Sequence, residues 1–331
     1  MKKIINNPVN IVDEMIKGIA AAYPQYVRRV EDLDVLVRAG LPIEKVALVS
    51  GGGSGHEPSH GGFVGKGMLD AAVAGPVFTS PTPDKVFEAI KTVNTGRGVL
   101  LIIKNYTGDV MNFEMAAEMA EAEGIKVEKV IVGDDVAVEN STFTIGRRGV
   151  AGTLFVHKIA GAKAEAGNDL SEVKRIAEKV IANVRSMGMS ISTCTVPESG
   201  KPSFTLAENE MEIGTGIHGE PGTHREELLK ADEIVDHLLS KILASMPLTS
   251  GDEISVIVNG LGGTPLMELY LVNRRIAEVL ESKGIKTVKT FVGNYMTSIE
   301  MAGFSISIIK LDDELKQLLL APADTPALVQ I

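Results

Sequence analysis

A glycine-rich segment in the first half of the chain carries residues that could bind a small polar molecule. Residues 51–62 contain six glycines together with His56 and His60. Glycine exposes backbone N–H groups and lets the main chain approach a ligand closely. The segment directly follows residues 46–50, an apolar run that predicts a buried strand. We therefore interpret it as a backbone cradle for a ligand rather than as a mobile connection.

Two well-known motifs are almost matched within this segment. Residues 61–66 resemble the Walker phosphate loop but are one residue too short to match it. The dinucleotide fingerprint also fails, because His56 stands where its third glycine should be. His56 and His60 do fit H-E-x-x-H, a zinc signature that needs both histidines on one helical face. The flanking glycines and Pro58 argue against a helix. Zinc hydrolysis remains the weaker alternative.

Two other loops carry ionisable groups. Lys104 ends an apolar run, and Asp109 follows at a strand-to-helix turn. Asp109 alone could be a helix N-cap, but a buried Lys104 would need a partner. His218 lies among glycines and a proline in residues 214–222, which predicts open space beside its imidazole. Three histidines in helical or charged contexts are interpreted as structural or surface groups: His157, His224 and His237.

The elements that must position these groups alternate between strands and helices. The predicted strands are residues 46–50, 98–104, 127–132, 191–196, 254–258, 288–292 and 304–311. The predicted helices are residues 11–22 with Asn10 as N-cap, 109–122, 149–166, 170–185, 226–244 and 265–282. This alternation favours mostly parallel sheets flanked by helices. Ligands then bind at the carboxyl ends of strands, which directs attention to the loops after Ser50, Lys104 and Val258.

Length and composition narrow the class of protein. A chain of 331 residues predicts two α/β domains, and we place them at residues 1–187 and 188–331. The net charge of −10, from 43 acidic and 33 basic side chains, argues against a nucleic-acid partner. Cys194 is the single cysteine, and the sequence shows neither a signal peptide nor an apolar stretch of about 18 residues. We expect a cytoplasmic protein without membrane association.

Five longer motifs resemble those of the substrate-binding subunit of the dihydroxyacetone kinases. They are residues 50–58, 78–84, 103–109, 146–151 and 216–222. The resemblance runs from the first predicted helix to the last strand. It implies two α/β domains, the second similar to the C-terminal domain of the tubulin group, and a homodimer.

The resemblance also implies a mechanism. The imidazole of His218 would add to the ketone carbonyl of dihydroxyacetone and form a covalent hemiaminal. His56 and Asp109 would handle the protons of the substrate hydroxyls during phosphoryl transfer. The substrate-binding positions that match are Gly53, Ser54, Gly55, His56, Lys104 and Asp109. Because a triose offers few atoms for contact, a reversible covalent bond would supply affinity and would select a carbonyl over glycerol.

The phosphoryl donor is expected on another protein. This sequence holds no nucleotide motif, and it resembles the phosphoenolpyruvate-dependent type. In that type a separate subunit carries ADP and is recharged by a phosphocarrier of the phosphotransferase system. We therefore expect no cofactor and no metal on this chain.

One alternative comes from a different functional class. Some relatives of this subunit are dihydroxyacetone-sensing co-activators of a transcription regulator. The presence of His56, Lys104, Asp109 and His218 together favours the enzyme.

Overall fold

The computed structural model describes residues 2–138 and 145–331 and has a mixed α/β fold, as predicted. The helices of these residues are α1 (Ile11–Ala22), α2 (Pro83–Val93), α3 (Thr107–Ala122), α4 (Thr153–Glu165), α5 (Leu170–Asn183), α6 (Ala231–Ser245), α7 (Leu266–Ser282) and α8 (Asp313–Leu320). The strands are β1 (Val27–Arg29), β2 (Val35–Arg38), β3 (Ala47–Ser54), β4 (Ala71–Val77), β5 (Val99–Lys104), β6 (Val127–Val132), β7 (Val184–Ser190), β8 (Glu210–Ile213), β9 (His224–Glu227), β10 (Glu253–Gly260), β11 (Lys286–Gly293), β12 (Gly303–Leu311), β13 (Ala323–Asp324) and β14 (Val329–Gln330).

The first sheet has the order β1-β2-β4-β3-β5-β6. Its four strands β4, β3, β5 and β6 are parallel, and β1 and β2 form an antiparallel edge. The prediction of a parallel sheet is confirmed for this half of the chain. The carboxyl ends of β3, β4 and β5 therefore meet at one edge of the sheet, next to Ser54, Phe78 and Lys104.

Strand β3 continues through the glycines that we expected to form a loop. Gly51, Gly52 and Gly53 pair with β4 in parallel register, and the strand ends at Ser54 rather than Ser50. A Cβ on Gly51 would overlap the carbonyl oxygen of Val73. Glycine is rare in strands, so its usual meaning as a loop residue misled the prediction.

The second sheet, of order β11-β10-β12-β7-β8-β9, is mostly antiparallel. Only β10 and β11 run parallel, so the expectation of a mostly parallel sheet is wrong for this half. The predicted strand 191–196 is also wrong, because the strand is Val184–Ser190 and begins directly after α5. Residues 226 and 227, predicted as the start of a helix, belong to β9 instead, and the helix begins at Ala231. The division of the chain into residues 1–187 and 188–331 stays a prediction.

The two sheets share a layer of helices between them. One hydrophobic cluster joins Leu48 and Leu100 of the first sheet, Ile159 of α4, and Ile257 and Ile309 of the second sheet. Helix α4 is buried on nearly all sides, as a helix in the middle of such a stack must be. Helices α2 and α3 cover the outer face of the first sheet, and α6 and α7 cover that of the second.

Details at the two chain ends differ from or add to the sequence analysis. Asn10 makes no side-chain cap for α1, and Asn7 instead accepts a hydrogen bond from the Val9 N–H. The C-terminal hairpin β13–β14 packs on the first half, where Lys66 and Asp324 exchange backbone hydrogen bonds.

Among the described residues, no helix combines the length and apolar character required to cross a bilayer.

Candidate functional site

An open cleft of about 850 Å³ lies where the two sheets meet. The end of β3 and the segments that follow β4 and β5 form one wall, and the loop between β8 and β9 contributes to the other. Its chemically relevant lining residues are Gly53, Phe78, Tyr106, Asp109, His218 and Glu220. The cleft thus unites the glycine segment, the Asp109 turn and the histidine loop that the sequence indicated separately.

The third predicted loop, after Val258, does not line this cleft. Its Leu261 packs against Cys194 and Met301 in a small apolar cluster. The antiparallel pairing of β10 with β12 explains the difference, because the carboxyl-end rule applies to parallel strands.

His218 is held in one orientation by Glu220. Its Nδ1 lies 2.9 Å from Oε1 of Glu220, and its backbone N–H donates to Oε2 at 2.9 Å. An ionised carboxylate only accepts hydrogen bonds, so Nδ1 carries the proton. In the neutral ring, the lone pair is then on Nε2, the nitrogen that can act as a nucleophile.

Glu220 is the functional residue that the sequence analysis missed. Burial would raise its pKa, but His218 and the Arg148 guanidinium lower that pKa to about 2. Arg148 is itself buried, and it donates to Asp135 at 2.8 Å and to the Gly214 carbonyl at 2.7 Å. The sequence signal that could have identified Glu220 is its position two residues after His218. In so short a loop, its carboxylate turns back towards the imidazole ring.

Aromatic rings surround the imidazole of His218. Tyr106 lies edge-on with a centroid distance of 4.4 Å, and Phe78 does so at 5.3 Å. His56 contacts it in the same manner at 4.7 Å. Together with the hydrogen bonds to Glu220, these contacts fix the plane of the ring.

His56 lies fully buried behind this wall, with one nitrogen unused. Its Nδ1 donates to the Thr297 carbonyl at 2.8 Å, which leaves a lone pair on Nε2. Within residues 2–138 and 145–331, no hydrogen-bond partner reaches that Nε2. Burial, with the charges of His218 and Lys104, holds the pKa of His56 well below its usual range. A neutral imidazole whose Nε2 has a free lone pair can accept a hydrogen bond, such as one from a hydroxyl group.

The zinc signature is not folded as zinc proteases require. Residues 56–60 form a turn, not a helix, as the sequence predicted. His60 lies 3.2 Å from Lys104 Nζ and 3.4 Å from Ser50 Oγ, whereas His56 bonds to Thr297. The two imidazoles therefore contact different partners and do not share one metal site.

Asp109 lines the cleft, and Lys104 contacts it from below. The fully buried Nζ of Lys104 lies 3.3 Å from Asp109 Oδ2 and donates to the Gly51 carbonyl at 3.1 Å, which confirms that this amine has partners. Asp109 is the third residue of α3 and not its N-cap, a position that Tyr106 occupies. A Cβ on Gly52 would overlap Lys104 Nζ, so this approach requires glycine.

The remaining residues of the glycine segment lie differently. Gly53 lines the cleft, and a Cβ there would collide with the backbone of Phe78 and Thr79. Ser54 and Gly55 are absent from the lining. The Ser54 hydroxyl donates to the Gly75 carbonyl at 2.7 Å, and the Gly55 N–H donates to the side chain of Glu57.

Comparisons with known proteins place the whole chain in one group. Residues 17–327 match the family model described as the Dak1 domain. A relative from Listeria innocua, named the dihydroxyacetone-binding subunit DhaK of PTS-dependent dihydroxyacetone kinase 1, is 54% identical over 99% of this chain and 100% of its own length.

Solved structures share the fold over nearly the full length. The native dihydroxyacetone kinase of C. freundii has a TM-score of 0.90 and 38% identity, and the match covers 99% of this chain but 60% of that enzyme. A structure described as the dihydroxyacetone kinase operon co-activator Dha-DhaQ has a TM-score of 0.91 and 37% identity, covering 96% of this chain and 98% of the other.

Proposed function

The chain belongs to the Dak1 domain family, and we propose that it is the dihydroxyacetone-binding subunit of a phosphoenolpyruvate-dependent dihydroxyacetone kinase. One observation carries the proposal: Glu220 holds the Nδ1 of His218 at 2.9 Å and so directs the lone pair to Nε2, in a cleft that both halves of the chain line. The name of the Listeria relative supports the same substrate and the same type of kinase.

In the binding step, Nε2 of His218 adds to the carbonyl carbon of dihydroxyacetone. A C–N bond forms, the carbonyl π bond opens, and the oxygen takes up a proton, which gives a hemiaminal. The ring becomes positively charged, and the Glu220 carboxylate 2.9 Å away stabilises that charge. Glycerol has no carbonyl, so chemistry excludes it.

In the transfer step, a terminal hydroxyl of the bound triose attacks phosphorus. Asp109 accepts the proton of that hydroxyl, and the free Nε2 of His56 is a second acceptor. Lys104 holds the Asp109 carboxylate from behind at 3.3 Å. The cleft of about 850 Å³ is far larger than a triose needs, which leaves space for the phosphate end of a donor. We assign the donor to a nucleotide on a partner subunit. A phosphocarrier phosphorylates the bound ADP, the triose takes that phosphoryl group, and ADP is regenerated as the leaving group.

The co-activator is the second candidate function. The solved structure of such a protein has the same fold at 37% identity, so the fold does not separate the two functions. The side chains favour the kinase, because a ligand sensor needs His218 but does not need a proton acceptor such as Asp109.

The oligomeric state and the fold likeness of the second half of the chain remain proposals. We infer a homodimer, supported by an apolar cluster at the start of α7 whose members are 48–70% exposed: Leu266, Met267, Tyr270 and Leu271. The likeness of the second half to the tubulin group rests on the family resemblance alone.

Reconstitution tests the function. The chain, mixed with an ADP-bearing kinase subunit, the phosphocarrier proteins and phosphoenolpyruvate, should convert dihydroxyacetone to dihydroxyacetone phosphate. A coupled assay with glycerol-3-phosphate dehydrogenase measures the product. Reactions without this chain should be silent. Binding of dihydroxyacetone without turnover would favour the co-activator.

The Glu220→Gln variant should bind dihydroxyacetone about 10–100-fold more weakly, the equivalent of the roughly 1.5–3 kcal/mol that a hydrogen bond to a charged group contributes. An amide can orient the ring but cannot stabilise its positive charge. Because the pKa of Glu220 is about 2, the loss should be similar across the assay pH range. Calorimetric titration measures it.

The control for this variant is Glu227→Gln, which changes an exposed carboxylate on β9. It should bind like the wild type. Unchanged affinity of Glu220→Gln would show that the carboxylate does not support the histidine.

A further inference from the structure

A second group of polar side chains lies on the outer edge of the second sheet. His224 and Glu226 are two residues apart on β9 and so share one face of the strand, and His237 reaches them from α6. His237 Nδ1 lies 3.2 Å from Glu226 Oε1, and His224 Nε2 lies 3.8 Å from Glu226 Oε2. The rings of the two histidines are 5.9 Å apart.

The carboxylate in the middle of this group has an unsatisfied oxygen. Oε1 of Glu226 is sealed from solvent, and in the part of the chain that the structure describes it accepts no hydrogen bond. The nearby Nδ1 of His237 is close enough but lacks the required alignment. A buried carboxylate oxygen without a hydrogen bond is costly, so this atom is suited to bind a cation.

A neighbouring hydroxyl orients one of the histidines. Thr223 Oγ1 lies 2.9 Å from Nδ1 of His224. When Nδ1 donates to this hydroxyl, the lone pair is on Nε2, the atom that faces Glu226. Metal-binding histidines are commonly fixed in this way through their other nitrogen.

We propose that His224, Glu226 and His237 bind a divalent transition metal of the zinc class. Two imidazoles and one carboxylate form a known zinc ligand set, with a fourth position open to water. One ligand atom from each side chain lies within 4.8 Å of the others. Tetrahedral zinc needs separations of about 3.3 Å, which follow from ligand distances of about 2.0–2.1 Å. Small side-chain rotations close the difference, and the half-exposed His224 gives the ion access.

The position of this site gives it a structural role. Strands β8 and β9 form a hairpin in which Ile213 pairs with His224, and the loop between them carries His218. A metal that joins β9 to α6 would clamp the base of this loop. The proposal departs from our expectation that the chain holds no metal and that His224 and His237 are structural or surface groups.

Zinc titration of the chelator-treated protein tests the proposal. Calorimetry with zinc chloride should give one ion per chain, and the melting temperature should rise with zinc concentration. The variants His224→Ala, His237→Ala and Glu226→Gln should each weaken zinc binding by at least about 100-fold, more than the 10–100-fold typical of losing an outer-shell partner. Glu227→Gln, next to the site on the same strand, should bind zinc normally.

Two results would overturn the proposal. One is the absence of zinc binding by the wild-type chain, which would leave a histidine–carboxylate ion pair. The other is undiminished binding in all three variants, which would place the ion elsewhere, such as at His56 and His60. Circular dichroism checks that each variant is folded, and His237→Asn serves if His237→Ala is not. The readout is metal binding, so it stands apart from the kinase proposal.

Discussion

His218→Ala should bind dihydroxyacetone at least about 100-fold more weakly than the wild-type chain, which corresponds to a loss of about 2.7 kcal/mol. A triose has few atoms and most of them are hydrated, so ordinary contacts in an open cleft supply little affinity. The covalent bond to Nε2 supplies the rest, and alanine removes it. Isothermal titration calorimetry measures the effect.

Two controls separate loss of the bond from loss of the fold. The melting temperature of His218→Ala should stay near that of the wild type, since this side chain lies at the cleft wall and not in the core. With ¹³C-labelled ligand, the carbonyl signal should move to the tetrahedral range on the wild-type chain only. Equal affinity of both proteins for dihydroxyacetone would refute the hemiaminal.

Asp109→Asn should still bind dihydroxyacetone but transfer phosphoryl groups about 10²–10⁴-fold more slowly, the usual contribution of a general base. The amide keeps the size of the carboxylate and cannot accept the hydroxyl proton. Binding survives because the bond to His218 is formed by the other wall of the cleft. Rapid-quench measurement of single-turnover transfer from the ADP-bearing subunit isolates this step.

A matched control for Asp109→Asn lies on the same helix. Glu114 is an exposed carboxylate of α3 paired with Lys129, and Glu114→Gln should transfer at the wild-type rate. If Asp109→Asn transferred equally fast, the proton would have to leave by another route, with His56 the next group to test.

Three strands of the first sheet, β3, β5 and β6, were predicted from the sequence, whereas β1, β2 and β4 were not. The edge strand β6 contains Glu128 and Lys129, and its predicted bounds match the observed ones. The apolar run of β5 is buried throughout and has no polar alternation, and the strand was placed within a residue of its observed bounds. Helix α4 was found for a similar reason, although its start is later than predicted. The extension of β3 through Gly51–Gly53 could not be predicted, because glycines carry no side-chain pattern.

The second sheet and the histidine environment depend on contacts between distant parts of the chain. The antiparallel pairing of β12 with β7 joins segments more than 100 residues apart, and no local pattern specifies it. Glu220 stays ionised because His218 and then Arg148, which comes from the other half of the chain, lower its pKa. Sequence patterns therefore identified the chemical groups His56, Lys104, Asp109 and His218 but not the residue that orients His218.

The helix layer shared by the two sheets has a consequence for how the cleft works. On the proposed mechanism, His218 anchors the substrate to one half of the molecule, whereas Asp109 belongs to the other. The distance between anchor and acceptor is then a property of the stack in which α4 is the central spacer. A shift of an ångström across that seam would leave ligand capture intact and misalign the hydroxyl for attack. The stiffness of this buried helix, none of whose residues lines the cleft, thus becomes a determinant of turnover.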